Sequence, residues 1–138
     1  MRIHIITLGC PKNEVDSEAM AVLLTRAGHQ TVAERDRADV IIVNTCGFIA
    51  PARQEAYDLL DELTATRRRR QALVVAGCLA QARADEISAR YPVEAVVGTR
   101  AWSQIVDVVA RLGRHPHLPI TLVPETGNLV VSTPRQAT

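Results

Sequence analysis

The chain has 138 residues, 47% of them apolar and only 3% aromatic, which suits one compact aliphatic domain and excludes a disordered polymer or two full-sized domains. Its formal net charge of +1 gives no general attraction to nucleic acid or to a membrane, so contact with a polyanion would have to be local. No apolar run approaches the roughly 20 residues that cross a bilayer, and the start Met1-Arg2-Ile3-His4 lacks a signal-peptide layout, so a cytoplasmic protein with no membrane partner is expected.

Arg2 to Leu8 reads as a first strand, and Gly9 lets the backbone turn at its end. From Asn13 the period becomes helical, with Val15, Ala19, Val22, Leu23 and Arg26 on one stripe and Gly28 as the stop. Gln30 to Ala33 is a short edge strand, and Arg35 to Asp39 a polar connection. Val40 to Asn44 is apolar without alternation, as a central strand covered on both faces should be. A helix starting near Pro51 should bury Ala56, Leu59, Leu60 and Leu63 and end in Arg67 to Arg70. Ala72 to Ala76 is the next strand, followed by a helix around Ala82 to Arg90, a strand at Glu94 to Val97 and a last helix carrying Trp102, Ile105, Val106, Val109 and Leu112. Beyond Gly113, Pro116, Pro119, Pro124 and Pro134 mark a connector with room for one strand at Ile120 to Val123.

Strand and helix alternate, so the expected class is α/β: a three-layer α/β/α arrangement on a mostly parallel five-stranded sheet in the flavodoxin-like order 2-1-3-4-5. The expected division is a domain over residues 1–112 and a connector over residues 113–138.

Each of the three cysteines stands at the exit of a strand, in Gly9-Cys10-Pro11, Asn44-Thr45-Cys46-Gly47 and Gly77-Cys78-Leu79. In a parallel sheet those exits share one edge, where ligands bind. Thiolates suit zinc, copper(I) or iron-sulfur clusters, and the close cysteine pairs typical of structural zinc are absent. Three thiolates fit a [4Fe-4S] cubane with one iron left for an outside ligand. Cysteine is also among the most buried residue types, so core packing plus one reactive thiol stays open beside the shared cluster. Asn13, Asn44 and Thr45 are candidates to support such a site or to cap helices and turns, and Gly9, Gly47 and Gly77 to admit close backbone approach. The simplest reading of Arg67 to Arg70 is a solvated helix end, with an RNA-contacting patch as the alternative. His4, His29, His115 and His117 lie in no motif, Trp102 reads as core, and no glycine-rich cradle for a nucleotide or flavin phosphate follows the first strand.

Taken together, Gly9-Cys10-Pro11-Lys12-Asn13 through Val15-Asp16-Ser17-Glu18, Asn44-Thr45-Cys46-Gly47-Phe48-Ile49 with Ala52 and Glu55, and Gly77-Cys78-Leu79 resemble the N-terminal domain of the methylthiotransferases, radical S-adenosylmethionine enzymes. The resemblance covers nearly the whole chain. Cys-Pro-Lys-Asn and Asn-Thr-Cys-Gly-Phe-Ile are most similar to the branch that modifies an aspartate of a small-subunit ribosomal protein; the transfer-RNA branch is the alternative. The resemblance implies that Cys10, Cys46 and Cys78 hold an auxiliary [4Fe-4S] cluster that supplies sulfur. It also implies a second [4Fe-4S] cluster and S-adenosylmethionine on a radical domain, and a C-terminal substrate-binding domain, whose motifs are missing here. The isolated piece should be catalytically incomplete, with apolar surface exposed near the cysteines. From another class altogether, a stand-alone flavodoxin-like binding module with inert cysteines is the competing reading.

Overall fold

The computed structural model describes residues 1–9, 11–46, 50–114, 119–123 and 131–132. Runs of β-branched and aliphatic residues form β1 (Arg2–Thr7), β3 (Val40–Thr45), β4 (Ala72–Gly77) and β5 (Ala95–Gly98), with β2 (Gln30–Thr31), β6 (Ile120–Leu122) and β7 (Val131–Ser132) as short outer strands. They make one sheet in the order β2-β1-β3-β4-β5-β6-β7, parallel throughout except for the last pair. The α/β class and the order of the first five strands are as expected. The sheet is larger than the five strands read from sequence: β6 falls on the strand expected within Ile120 to Val123 and joins the sheet beside β5, while β7, two residues long, is too short to carry a hydrophobic period of its own.

Helices α1 (Pro11–Arg26) and α4 (Ile105–Arg114) cover one face, where Ile3, Val40, Ile42, Val74 and Val97 meet Met20, Leu24, Ile105 and Val109. Helices α2 (Ala50–Thr66) and α3 (Cys78–Arg90) cover the other, where Ile41, Val43, Leu73 and Val75 meet Leu60, Leu63, Leu79 and Ile87. Every residue of β3 is buried, as its unbroken apolar run requires. Trp102 lies in a 3-10 segment, Thr99–Gln104, ahead of α4, half-buried against the first core.

Two helices depart from the sequence reading. The buried side of α1 is Asn13, Ser17, Met20 and Leu24, while Val15 and Val22 of the expected stripe are 63% and 48% exposed. Two polar residues displace the valines because their hydrogen bonds are met inside, as described below. Helix α3 starts at Cys78 rather than near Ala82, with a kink at Arg83 (φ −136°, ψ 39°) close to the expected start. Helix α1 ends as predicted: Gly28 takes a positive φ, and the His29 N–H donates to Leu24 O at 3.0 Å while the Gly28 N–H donates to Thr25 O at 3.0 Å.

The arginine run closes the opposite end of the molecule from the strand exits. Arg67 Nη2 donates to Pro92 O at 2.8 Å, its Nη1 pairs with the Glu94 carboxylate, and Glu94 Oε1 also accepts from the Leu73 N–H at 2.7 Å. Arg67 therefore ties the end of α2 to the entrances of β4 and β5, while Arg68, Arg69 and Arg70 are exposed. Among the described residues no helix is long and apolar enough to cross a membrane.

Candidate metal centre

Six parallel strands fix the direction in which the chain leaves the sheet, and register fixes the height. Thr45 pairs with Gly77 and Thr7 with Asn44. Cys46 and Cys78 each follow the Thr45–Gly77 pair by one residue, on neighbouring strands about 4.8 Å apart. Continuing the β1–β3 register sets Gly9 opposite Cys46. Of the three sequence-predicted ligands, the fold thus sets Cys46 and Cys78 on one rim and brings the chain to it at Gly9, immediately before Cys10. Cys10 itself and Gly47 lie outside the described residues.

Contacts at Gly9 and Gly77 show how tightly this rim is drawn. A Cβ on Gly9 would lie 2.3 Å from Cys46 Cβ and 3.2 Å from Cys46 Sγ, so the turn before Cys10 is packed directly on the Cys46 side chain. A Cβ on Gly77 would lie 2.4 Å from Thr45 O and 2.6 Å from Asn44 Oδ1. Both glycines also have φ above +90°, a region closed to ordinary side chains. Cys46 is 9% exposed and Cys78 half-buried; both are free thiols.

Asn13 and Asn44 do not cap helices. Asn13 Nδ2 donates to Leu8 O at 2.7 Å and to Thr45 O at 2.9 Å, joining the exits of β1 and β3. Asn44 Nδ2 donates to Asn13 O at 2.9 Å and to Ser17 Oγ at 3.0 Å, and Ser17 Oγ shares a 2.7 Å hydrogen bond with Thr7 Oγ1. Both protons of each amide are used, which is why Asn13 and Asn44 can be 1% and 2% exposed without penalty. Thr45 Oγ1 donates to Ala76 O at 2.6 Å and carries the tie on to β4. The residues just before Gly9-Cys10, Cys46 and Cys78 are thus held in one buried polar network.

Ser17 and Thr7 belong to that network and were not singled out from sequence. The usable signal is the spacing Asn13, Ser17, Met20, Leu24, one helix face whose rim end is polar. Among the described residues no trio of histidine, cysteine or acidic side chains comes together. The donor set suits soft metal chemistry: two thiols on neighbouring strand exits, glycines that clear the space beside them, and a rigid support beneath. An apolar exposed residue, Val15, stands one turn into α1 from this rim.

Residues 2–98 match the family model described as Uncharacterized protein family UPF0004. The chain is similar to proteins named Ribosomal protein uS12 methylthiotransferase RimO: 51% identical over 121 residues in Chloroflexus aurantiacus, covering 88% of this chain and 26% of that protein. In Roseiflexus sp. the identity is 51% over 116 residues, 84% of this chain and 25% of that protein. A Solibacter usitatus relative of the same name is 38% identical over 143 residues, covering 98% of this chain and 30% of its own length. The chain spans about a quarter of the length of the first two relatives.

Proposed function

Because this chain belongs to the UPF0004 family, we propose that it is the N-terminal, cluster-holding domain of a methylthiotransferase acting on a small-subunit ribosomal protein, as the names of its relatives suggest for uS12. The observation that carries this reading is the shared rim: Cys46 and Cys78 follow a paired rung of neighbouring strands, and Gly9, the residue before Cys10, packs against Cys46. Cys10, Cys46 and Cys78 are the proposed ligands of an auxiliary [4Fe-4S] cluster. When bound, that cluster supplies sulfur for transfer at the one iron that no protein thiolate occupies.

The chain's own residues do the positioning. Asn13 and Asn44 hold the β1 and β3 exits at a fixed separation, so the segments that lead into Cys10 and Cys46 are tied together beneath the rim. Gly9 and Gly77 keep side-chain bulk out of the space beside Cys46 and Thr45. Burial of Cys46 limits water at one side of the site. In this reading residues 1–112 are the cluster-holding domain, and the chain from residue 113 onward leads toward a radical S-adenosylmethionine domain, with its own [4Fe-4S] cluster, and a C-terminal substrate-binding domain in the complete cytoplasmic protein. The 138 residues alone would be inactive.

A transfer-RNA substrate is the competing branch. Arg67 to Arg70, the one basic run in the chain, stands at the strand entrances, away from the cysteine rim, and Arg67 is committed to Glu94. The deciding assay supplies the complete protein with both substrates under reducing, oxygen-free conditions. Mass gain on the ribosomal protein is the expected result; a modified nucleoside with unmodified ribosomal protein would move the chain to the transfer-RNA branch.

A further inference from the structure

The outer edge of β1 is only half covered. Strand β2 pairs with it at two positions, Arg2 with Gln30 and Ile3 with Thr31, and the Val32 N–H makes the last rung by donating to Ile3 O at 2.8 Å. In a continuing parallel ladder Val32 O would next accept from the Ile5 N–H. That bond is not formed; Val32 O accepts from His4, whose Nδ1 lies 2.9 Å away and must be the donor, since a carbonyl only accepts. The backbone pairing ends there, and the chain bends away at Ala33.

Strand alternation then says which groups are left. Leu8 donates toward β3, to Asn44 O at 2.9 Å, so Arg2, His4, Ile6 and Leu8 face β3 while Ile3, Ile5 and Thr7 face outward. Among the described residues no backbone group pairs with the outward N–H and C=O of Ile5 or the outward N–H of Thr7. Alongside lies a groove of about 300 Å³ between this edge and α1, walled by Ile5, Thr7, Ser17, Ala21 and Ala33. An exposed strand edge beside a groove with small walls is the geometry that accepts an added strand: main-chain hydrogen bonds hold it, and alternate side chains enter the groove.

We propose that the open edge of β1 from Ile5 to Thr7 takes an extended segment of the protein substrate as an added strand and leads it to the cysteine rim. This rests on the ribosomal-protein reading given above. The direction of β1 is what makes the edge useful: from Ile5 to Leu8 the chain rises about 10 Å toward Gly9, so a strand laid about 4.8 Å outside it reaches Gly9, which packs on Cys46. An RNA strand has no use for such an edge, because the unpaired groups are spaced for a polypeptide backbone.

The test is residue-resolved amide exchange on the isotope-labelled 138-residue chain. The probe is a synthetic uS12 peptide spanning the target aspartate, with a second copy N-methylated at alternate amides as its control. The plain peptide should slow exchange at Ile5 and Thr7 by about tenfold or more and leave Leu8 unchanged; the methylated peptide should not. Ala21→Trp, which fills the groove from α1, should abolish the protection while the remaining amide spectrum shows a folded chain. Three results would each overturn the proposal: peptide-induced shifts elsewhere with Ile5 and Thr7 unaffected, equal protection by both peptides, or no shift at millimolar peptide. Protection that grows with chain concentration alone would also overturn it, by making the edge a contact between copies. The functional reading fails by a separate route, an inability to hold iron on the cysteines, so a chain that binds the cluster but not the peptide loses only the docking edge.

Discussion

At Asn13 a single side chain satisfies two carbonyl oxygens, Leu8 O and Thr45 O, each just before a segment that carries a cysteine. Asn13→Ala leaves both without a donor and should lower stability by about 3 kcal/mol, read from the urea midpoint. Asn13→Asp should cost more than Ala, because it turns an acceptor toward two acceptors; a milder effect for Asp would mean that the amide is not the tie. Gly77→Ala combines a φ of +97° with a Cβ 2.4 Å from Thr45 O, and should cost at least about 2 kcal/mol. The sequence showed these residues as a motif but not their work. An asparagine after a strand reads equally as a cap, and only the fold brings residues 31 and 32 positions apart into contact.

Helices and strands differ in how openly they declared themselves. Strands β1, β3 and β4 were legible because their aliphatic runs are bounded by glycine or polar turns, and in β3 and β4 burial on both faces needs no alternation. The facing of α1 was not, because hydrophobic periodicity picks Val15 and Val22 while hydrogen bonding buries Asn13 and Ser17. Long-range pairing was equally hidden: nothing near Arg67 announces Glu94. Since that pair is mostly buried, Arg67→Met should cost about 2 kcal/mol, while Arg69→Met in the same run should stay within about 0.5 kcal/mol by the same denaturation measurement. Between α2 and α3, Tyr91 is pushed up to about 12 by burial and by the nearby Asp61, with Arg90 opposing. The folded state therefore keeps a proton that the unfolded tyrosine loses near pH 10. Its contribution is complete below about pH 10 and declines as pH rises through about 12. Tyr91→Phe should flatten that part of the stability profile, and an unchanged alkaline slope would contradict the assignment.

The molecule as a whole separates support from chemistry by end. Strand entrances are closed by Arg67, Glu94 and Gln71, and strand exits carry the cysteines above the Asn13 and Asn44 network. The placement of Cys46 and Cys78 at a common rim was readable from sequence because a parallel α/β sheet leaves no other side for its strand exits; the open β1 edge was not, because it depends on β2 stopping after Thr31 and the chain bending away at Ala33. The most direct test of the central claim is the iron and sulfide content of the chain after oxygen-free reconstitution, alongside Cys10→Ala, Cys46→Ala and Cys78→Ala. The account predicts about four irons and four sulfides on the parent chain and a marked loss in every variant. Iron content unchanged by all three substitutions, or none retained by the parent, would contradict it and leave a binding module with inert thiols.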